Sequence, residues 1–213
     1  MDGLDQYLNP NKKAFEADPF GYSALGRTRW GILTELAGFD HIDVEKPATS
    51  EELKNPILWL TQASALGEAA ILIMRNTPEF DNYPSNMRGI CDGQFRATGL
   101  MLVGYSLEIC LKAMLIMKNG IESYNKQEKK YHHHELHKLA NFVPNLSAKD
   151  MGILELLTHY VYWAGRYPDP GYGKEQRTEQ IFTLSEKHKI TVKELFELSS
   201  KVMAHVKIVA DET

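Results

Sequence analysis

Three short stretches carry the residues best equipped for chemistry. In GYSLEICLKAMLI, Tyr105, Glu108 and Lys112 fall on one row of a helix with Met101 and Leu115, so a phenol, a carboxylate and an ammonium interrupt an otherwise apolar surface. Glu108 and Lys112 stand i,i+4 in the favourable order, an arrangement that contributes roughly 0.2–0.5 kcal/mol on an exposed helix. If the same row is buried, each charge needs a counter-charge or hydrogen bonds to offset its desolvation. Two readings follow: a surface ion pair, or polar groups facing a cleft or a subunit interface.

The second stretch, YHHHELHKL, gathers His132, His133, His134 and His137 beside Glu135. His133 and His137 are i,i+4 and could share a metal ion, but the zincin pattern HExxH is one residue short after Glu135, and no cysteines stand nearby to complete a structural site. No metal and no cofactor are therefore assigned. The third stretch, WAGRYPDPGYG, places Arg166 and Tyr167 just before two prolines and two glycines that no helix can continue through. Other catalytic templates are missing: there is no glycine-rich phosphate loop leading into Lys-Ser or Lys-Thr and no GxSxG elbow. Cys110 lies among apolar helical residues, where a raised thiol pKa makes it a poor nucleophile.

The elements that must position these groups are helices. From Asp92 to Gly120, Phe95, Gly99, Leu102, Ser106, Ile109, Ala113 and Ile116 recur at spacings of four and three, with a second apolar row beside them, which predicts a central core helix capped by Asp92. Its small residues predict close approach by the alanine- and glycine-bearing helix of Thr49–Arg75, which opens on the capping box Thr49/Glu52. Ser147 and Asp150 begin a further helix running to about Arg166, and Thr191 and Glu194 begin the last. Residues 76–90 read as a loop and 121–131 as a solvated connection. No strand-like alternation of useful length and no internal repeat is present. The expected fold is all-α: an antiparallel helical bundle of about four or five main helices over residues 49–213, with a loop insertion at about 169–190 and residues 1–48 as an N-terminal extension packed on the bundle.

Composition narrows the function classes. The chain has 213 residues, 43% of them hydrophobic, enough for a sizeable core. Its formal net charge of −4 argues against non-specific binding to a nucleic-acid backbone, although a local basic patch would be hidden in the average. A membrane span over Gly99–Met117 is rejected because Glu108 and Lys112 sit at its centre, each costing about 2.5–3.5 kcal/mol on insertion scales. With no basic start followed by an apolar run, the expectation is a cytoplasmic protein.

Taken in order, GYSLEICLKAMLI, HELHKL and WAGRYP resemble the HEPN family (higher eukaryotes and prokaryotes nucleotide-binding domain) over about residues 52–168. Members pair a helix A-x-E-x-x-L-K-A-L-L with a downstream H-D-L-x-x-L and a closing R-Y-P. By position, Glu108 and Lys112 match the helix motif, His134 its histidine, and Arg166, Tyr167 and Pro168 the closing motif. The resemblance implies a homodimer-prone bundle with a cleft for a nucleotide or RNA, often beside a nucleotidyltransferase partner. The ligand-binding candidates are Glu108, Lys112, His134, Arg166 and Tyr167 from the matched motifs, with Tyr105 from the polar row of the same helix. One departure matters: the ribonuclease branch carries an arginine followed four to six residues later by histidine, and neither Arg96 nor Arg166 is so followed. The expectation is thus a non-catalytic binding or interaction module. The alternative is a metal-independent ribonuclease using His134 and Arg166, brought together by the fold.

Overall fold

A computed structural model describes residues 8–38 and 42–213, and it is all-α, with no strand among the described residues. The chain divides into two compact units, Met1–Leu58 and Trp59–Thr213. The first holds α1 (Lys12–Ala17), α2 (Pro19–Ala24), α3 (Gly26–Leu36) and α4 (Ser50–Leu53). Asn11 caps α1, and Asp18 caps α2 ahead of Pro19. The expected capping box at Thr49/Glu52 forms, but it governs a single turn. Arg27 ties that turn to α3, with Nη2 3.0 Å from Glu52 Oε2 and 2.8 Å from the Asp43 carbonyl. Asn55 then breaks the helix, and Pro56, fixed near helical φ and lacking an N–H, starts the next one.

The remaining elements are α5 (Pro56–Arg75), α6 (Ser85–Asn119), α7 (Ile121–Lys126), α8 (Glu128–Tyr131), α9 (Leu136–Leu139), α10 (Ala148–His159), α11 (Gln176–His188) and α12 (Val192–Glu212). The core of the second unit is built on the C-terminal half of α6, where Leu107, Leu111, Ala113 and Met114 are fully buried. Small residues set the approach distances, as the spacing predicts. Ser106 Oγ donates to the Ala63 carbonyl of α5 at 2.7 Å, and a Cβ on Gly104 would stand 2.5 Å from Val161 Cγ2.

The central helix begins earlier than its sequence signals suggest. It starts at Ser85, and Asp92 is not its cap but an internal partner of Arg96, Nε to Oδ1 3.4 Å. Residues 85–90 of the expected 76–90 loop are thereby helical, and Gly89 within them costs only about 1 kcal/mol in a helix interior. Arg96 also donates to the carbonyls of Ile73, Met74 and Asn76, satisfying the open C-terminal end of α5.

Residue pairings give the helix directions. Ala63 meets Ser106 and Ile73 meets Gly99, so α5 runs antiparallel to α6; Leu157 and Val161 meet Gly104 while Gly165 meets Met101, so α10 does too. The last helix departs from the antiparallel expectation. Met203 approaches the Gly67–Ser106 contact and Glu212 lies 3.9 Å from Lys118, so α12 runs in the same direction as α6. It can do so because the expected loop insertion contains α11, which returns along α10 with His188 packed against Gly152. Residues 121–131 are two short helices rather than a solvated connection, with Tyr124 and Tyr131 buried and stacked 5.2 Å apart. By length and composition, Ser50–Arg75 and Ser85–Asn119 could each cross a membrane; in α6, 67% of the apolar window is buried inside the protein.

Candidate functional site

Glu108 and Lys112 lie within the core half of α6, 4% and 8% exposed, so the surface ion-pair reading fails. Their i,i+4 spacing brings Lys112 Nζ to 2.8 Å from Glu108 Oε1. The second partner comes from the histidine stretch: His134 Nδ1 lies 2.8 Å from Glu108 Oε2 and 3.0 Å from Oε1. One carboxylate is therefore shared by an ammonium and an imidazole, which is how a buried charge remains compensated.

Residues 132–135 form no helix, and what fixes His134 is the anchoring of the residues after it. Leu136 is fully buried, and its N–H donates to Thr158 Oγ1 at 3.1 Å; that hydroxyl in turn donates to the Leu154 carbonyl of α10. His133 faces elsewhere, its Nδ1 accepting the Glu135 N–H at 3.1 Å. With His133 outside α9 and His137 inside it, the i,i+4 helix geometry of a shared metal is not formed, and among the described residues no three His, Cys, Asp or Glu side chains stand close enough to hold a metal ion.

Two tyrosines meet the ring of His134 edge-on. Tyr105 meets its ring edge-on at 6.3 Å and donates a long bond, 3.5 Å, to the Val161 carbonyl. Tyr162 meets the ring at 5.2 Å and 88°. Tyr162 reaches this position because α10 passes into a π-helical turn over Tyr160–Ala164, closed by Gly165 N–H to the Tyr160 carbonyl at 3.1 Å. Such widened turns rotate the following side chains relative to an α-helix, and they recur at functional sites.

Past that turn, Arg166 and Tyr167 belong to a different place. They line a groove of about 430 Å³ with Gln94, Ala97 and Thr98 of α6 and with Trp163. Gly165 permits the close approach, since a Cβ there would lie 2.4 Å from Met101 Cβ. Arg166 Nη2 donates to the Tyr162 carbonyl, and its guanidinium carbon stands 5.5 Å from the centre of the Tyr167 ring. It has no carboxylate partner among the described residues, and the groove lining contains no Asp or Glu.

The fold thus joins Tyr105, Glu108, Lys112 and His134 in one network and sets Arg166 and Tyr167 apart, with Tyr162 touching both groups: its ring meets His134 and its carbonyl accepts from Arg166. Among the described residues no hydrogen bond, ion pair or ring contact joins Arg166 to His134. Sequence reasoning missed Tyr162, Thr158, Gln94 and Thr98. The last two had a signal, because Gln94, Ala97, Thr98 and Met101 form a polar and small row at i, i+3, i+4 and i+7 on α6. Tyr162 had none, since only the π turn directs it toward His134. Compared with protein-family models, curated proteins and solved structures, the chain gives no match.

Proposed function

We propose that this chain is an HEPN-like, non-catalytic binding module that holds the phosphate of a nucleotide or of RNA in the groove beneath Arg166. The observation that carries the reading is a cation with no carboxylate partner among the described residues. Arg166 lines a groove free of carboxylates, anchored through one N–H to a backbone carbonyl and flanked by the exposed ring of Tyr167. A guanidinium so held retains donors for phosphate oxygens, and an exposed aromatic ring offers a face on which a base can stack. Gln94 and Thr98 add neutral hydrogen-bonding groups to the opposite wall.

The network around Glu108 supports the non-catalytic part of the proposal. A ribonuclease of the expected kind needs its base and its cation on the same phosphate. His134 commits Nδ1 to Glu108, Lys112 is spent on the same carboxylate, and Arg166 makes no contact with either. In this reading the network is the scaffold that fixes residues 132–136 against α6 and keeps Tyr162 in place beside the groove.

The HEPN-like bundle and the homodimer belong to the same proposal. α5 is apolar around most of its circumference, yet only Ala63 and Ala70 are buried, and Leu72 is 62% exposed. That much uncovered apolar surface suits an interface with a second copy or with a nucleotidyltransferase-type partner. Thermal unfolding with AMP, ATP and a short single-stranded RNA tests the ligand reading. A ligand at a hundredfold excess over its dissociation constant stabilises the fold by about 2.7 kcal/mol, and Arg166→Ala should abolish that gain. No stabilisation by any of the three, or stabilisation unchanged in the variant, rejects the site.

A further inference from the structure

A second groove opens beside the histidine stretch, and it differs in chemistry from the one beneath Arg166. Its volume is about 540 Å³, within the range of small-molecule sites. Leu115, Tyr131, Leu139 and Phe142 supply apolar walls, and Lys130, His133, Glu135, Lys138 and Asn141 supply the polar groups.

The charges in this lining do not balance. Lys138 Nζ sits 2.6 Å from Glu135 Oε1, and this pairing holds the Glu135 carboxyl below its usual range, so these two cancel. Lys130 has no carboxylate partner among the described residues; its ammonium lies 5.3 Å from the centre of the Tyr131 ring. His133 contributes a donor rather than a charge. Burial, followed by Lys112 and Lys138, pushes its pKa down against the opposing pull of Glu135 and Glu108, so the ring is neutral at pH 7 and above. Since Nδ1 accepts the Glu135 N–H, the proton of that neutral ring resides on Nε2. The lining therefore carries one ammonium without a carboxylate partner among the described residues, two residues with neutral donors in His133 and Asn141, and apolar side chains beside them.

We infer that this groove is a second ligand site, separate from the one beneath Arg166, which takes a small organic monoanion with an apolar body: an aromatic carboxylate. The single net charge favours a monoanion over a doubly charged phosphate ester. Two carboxylate oxygens match one ammonium and two neutral donors, and an aromatic body replaces water against Phe142 and Leu115. Because His133 adjoins His134, occupation of the groove bears on the same segment that Glu108 holds.

The test is calorimetric titration of the full chain at pH 7.5 with 3-phenylpropionate and with its neutral amide, joined to NMR of the imidazole C–H signals. The carboxylate should bind at least about tenfold more tightly than the amide, and Lys130→Glu, at an exposed position, should weaken it by at least about tenfold. Bound carboxylate should also raise the titration midpoint of the His133 ring while leaving His159 unmoved. Arg166→Ala should not change carboxylate binding, and Lys130→Glu should not change nucleotide binding, so the two sites stand or fall independently. Absence of binding at millimolar carboxylate, equal binding of the amide, or loss through Arg166→Ala instead of Lys130→Glu would each overturn the assignment.

Discussion

His134 and Lys112 meet on a single carboxylate: Lys112 Nζ lies 2.8 Å from Glu108 Oε1 and His134 Nδ1 lies 2.8 Å from Oε2. Glu108 is thus the joint between a core helix and a segment with no helical structure of its own. Its removal leaves a buried ammonium unpaired and releases His134 together. Glu108→Ala should lower unfolding stability by about 3–5 kcal/mol, the usual cost of breaking a buried pair. His134→Ala leaves the pair intact and removes one bond to a charged group, worth about 1.5–3 kcal/mol. Urea denaturation of the two variants checks the order; equal losses would show that His134 and not Lys112 is the principal partner.

Gly104 marks a close approach of α6 to the end of α10 and the turn that follows it. A Cβ there would stand 2.5 Å from Val161 Cγ2 and 3.4 Å from the Leu157 carbonyl. Val161 is fully buried and has little room to retreat. Gly104→Ala should therefore destabilise by about 1–3 kcal/mol despite its better helix propensity. Gly93→Ala on the same helix meets no atom within 4 Å and should be neutral or stabilising.

Stability should fall as the solution is acidified, in two stages with different groups responsible. Burial, assisted by Arg177, depresses the folded pKa of His159 below its ordinary 6.5. The unfolded chain then takes up the proton first, so the contribution of His159 is whole above pH 6.5 and is lost as pH falls through the depressed value. Glu194 behaves with the same sign at lower pH. Its bond from Lys149, then that from the Thr191 N–H, bring its pKa to about 2 from 4.5, so its contribution is whole above pH 4.5 and disappears toward pH 2. Denaturation midpoints taken across pH 2–8 should show a smaller lower stage in Glu194→Gln and a smaller upper one in His159→Phe, the remainder coming from carboxyls such as Glu135 and Asp150 and from His133, whose pKa values are depressed in the same sense.

The two cysteines should react at very different rates. Cys110 is 1% exposed, and burial pushes its thiol up to about 12. Cys91 is only half-buried near the start of α6. A disulfide-exchange reagent at pH 8 should modify Cys91 in the folded protein and reach Cys110 only on unfolding, so Cys91→Ser should leave no rapidly reacting thiol.

The periodic core was legible in the residues alone, because helical burial writes itself as a spacing of three and four. The Gly99 and Ser106 row, the capping boxes at Thr49, Ser147 and Thr191, and the choice of Glu108, Lys112 and His134 as notable groups all follow from local pattern. The start of α6 at Ser85 was not legible, because an arginine-clamped helix end and two tolerated glycines leave no signal at the first turn. The helix α11 was hidden behind the proline and glycine run that precedes it. Which groups meet was decided only in three dimensions. Pairing His134 with Glu108 spans 26 residues and depends on Leu136 being buried against Thr158. Separating Arg166 from His134 depends on a π-helical turn, a backbone state with no side-chain spacing to announce it. Local sequence determined which faces must be buried, since burial repeats along the chain; tertiary packing alone decided which charges share a partner and which, like Arg166, find no carboxylate among the described residues.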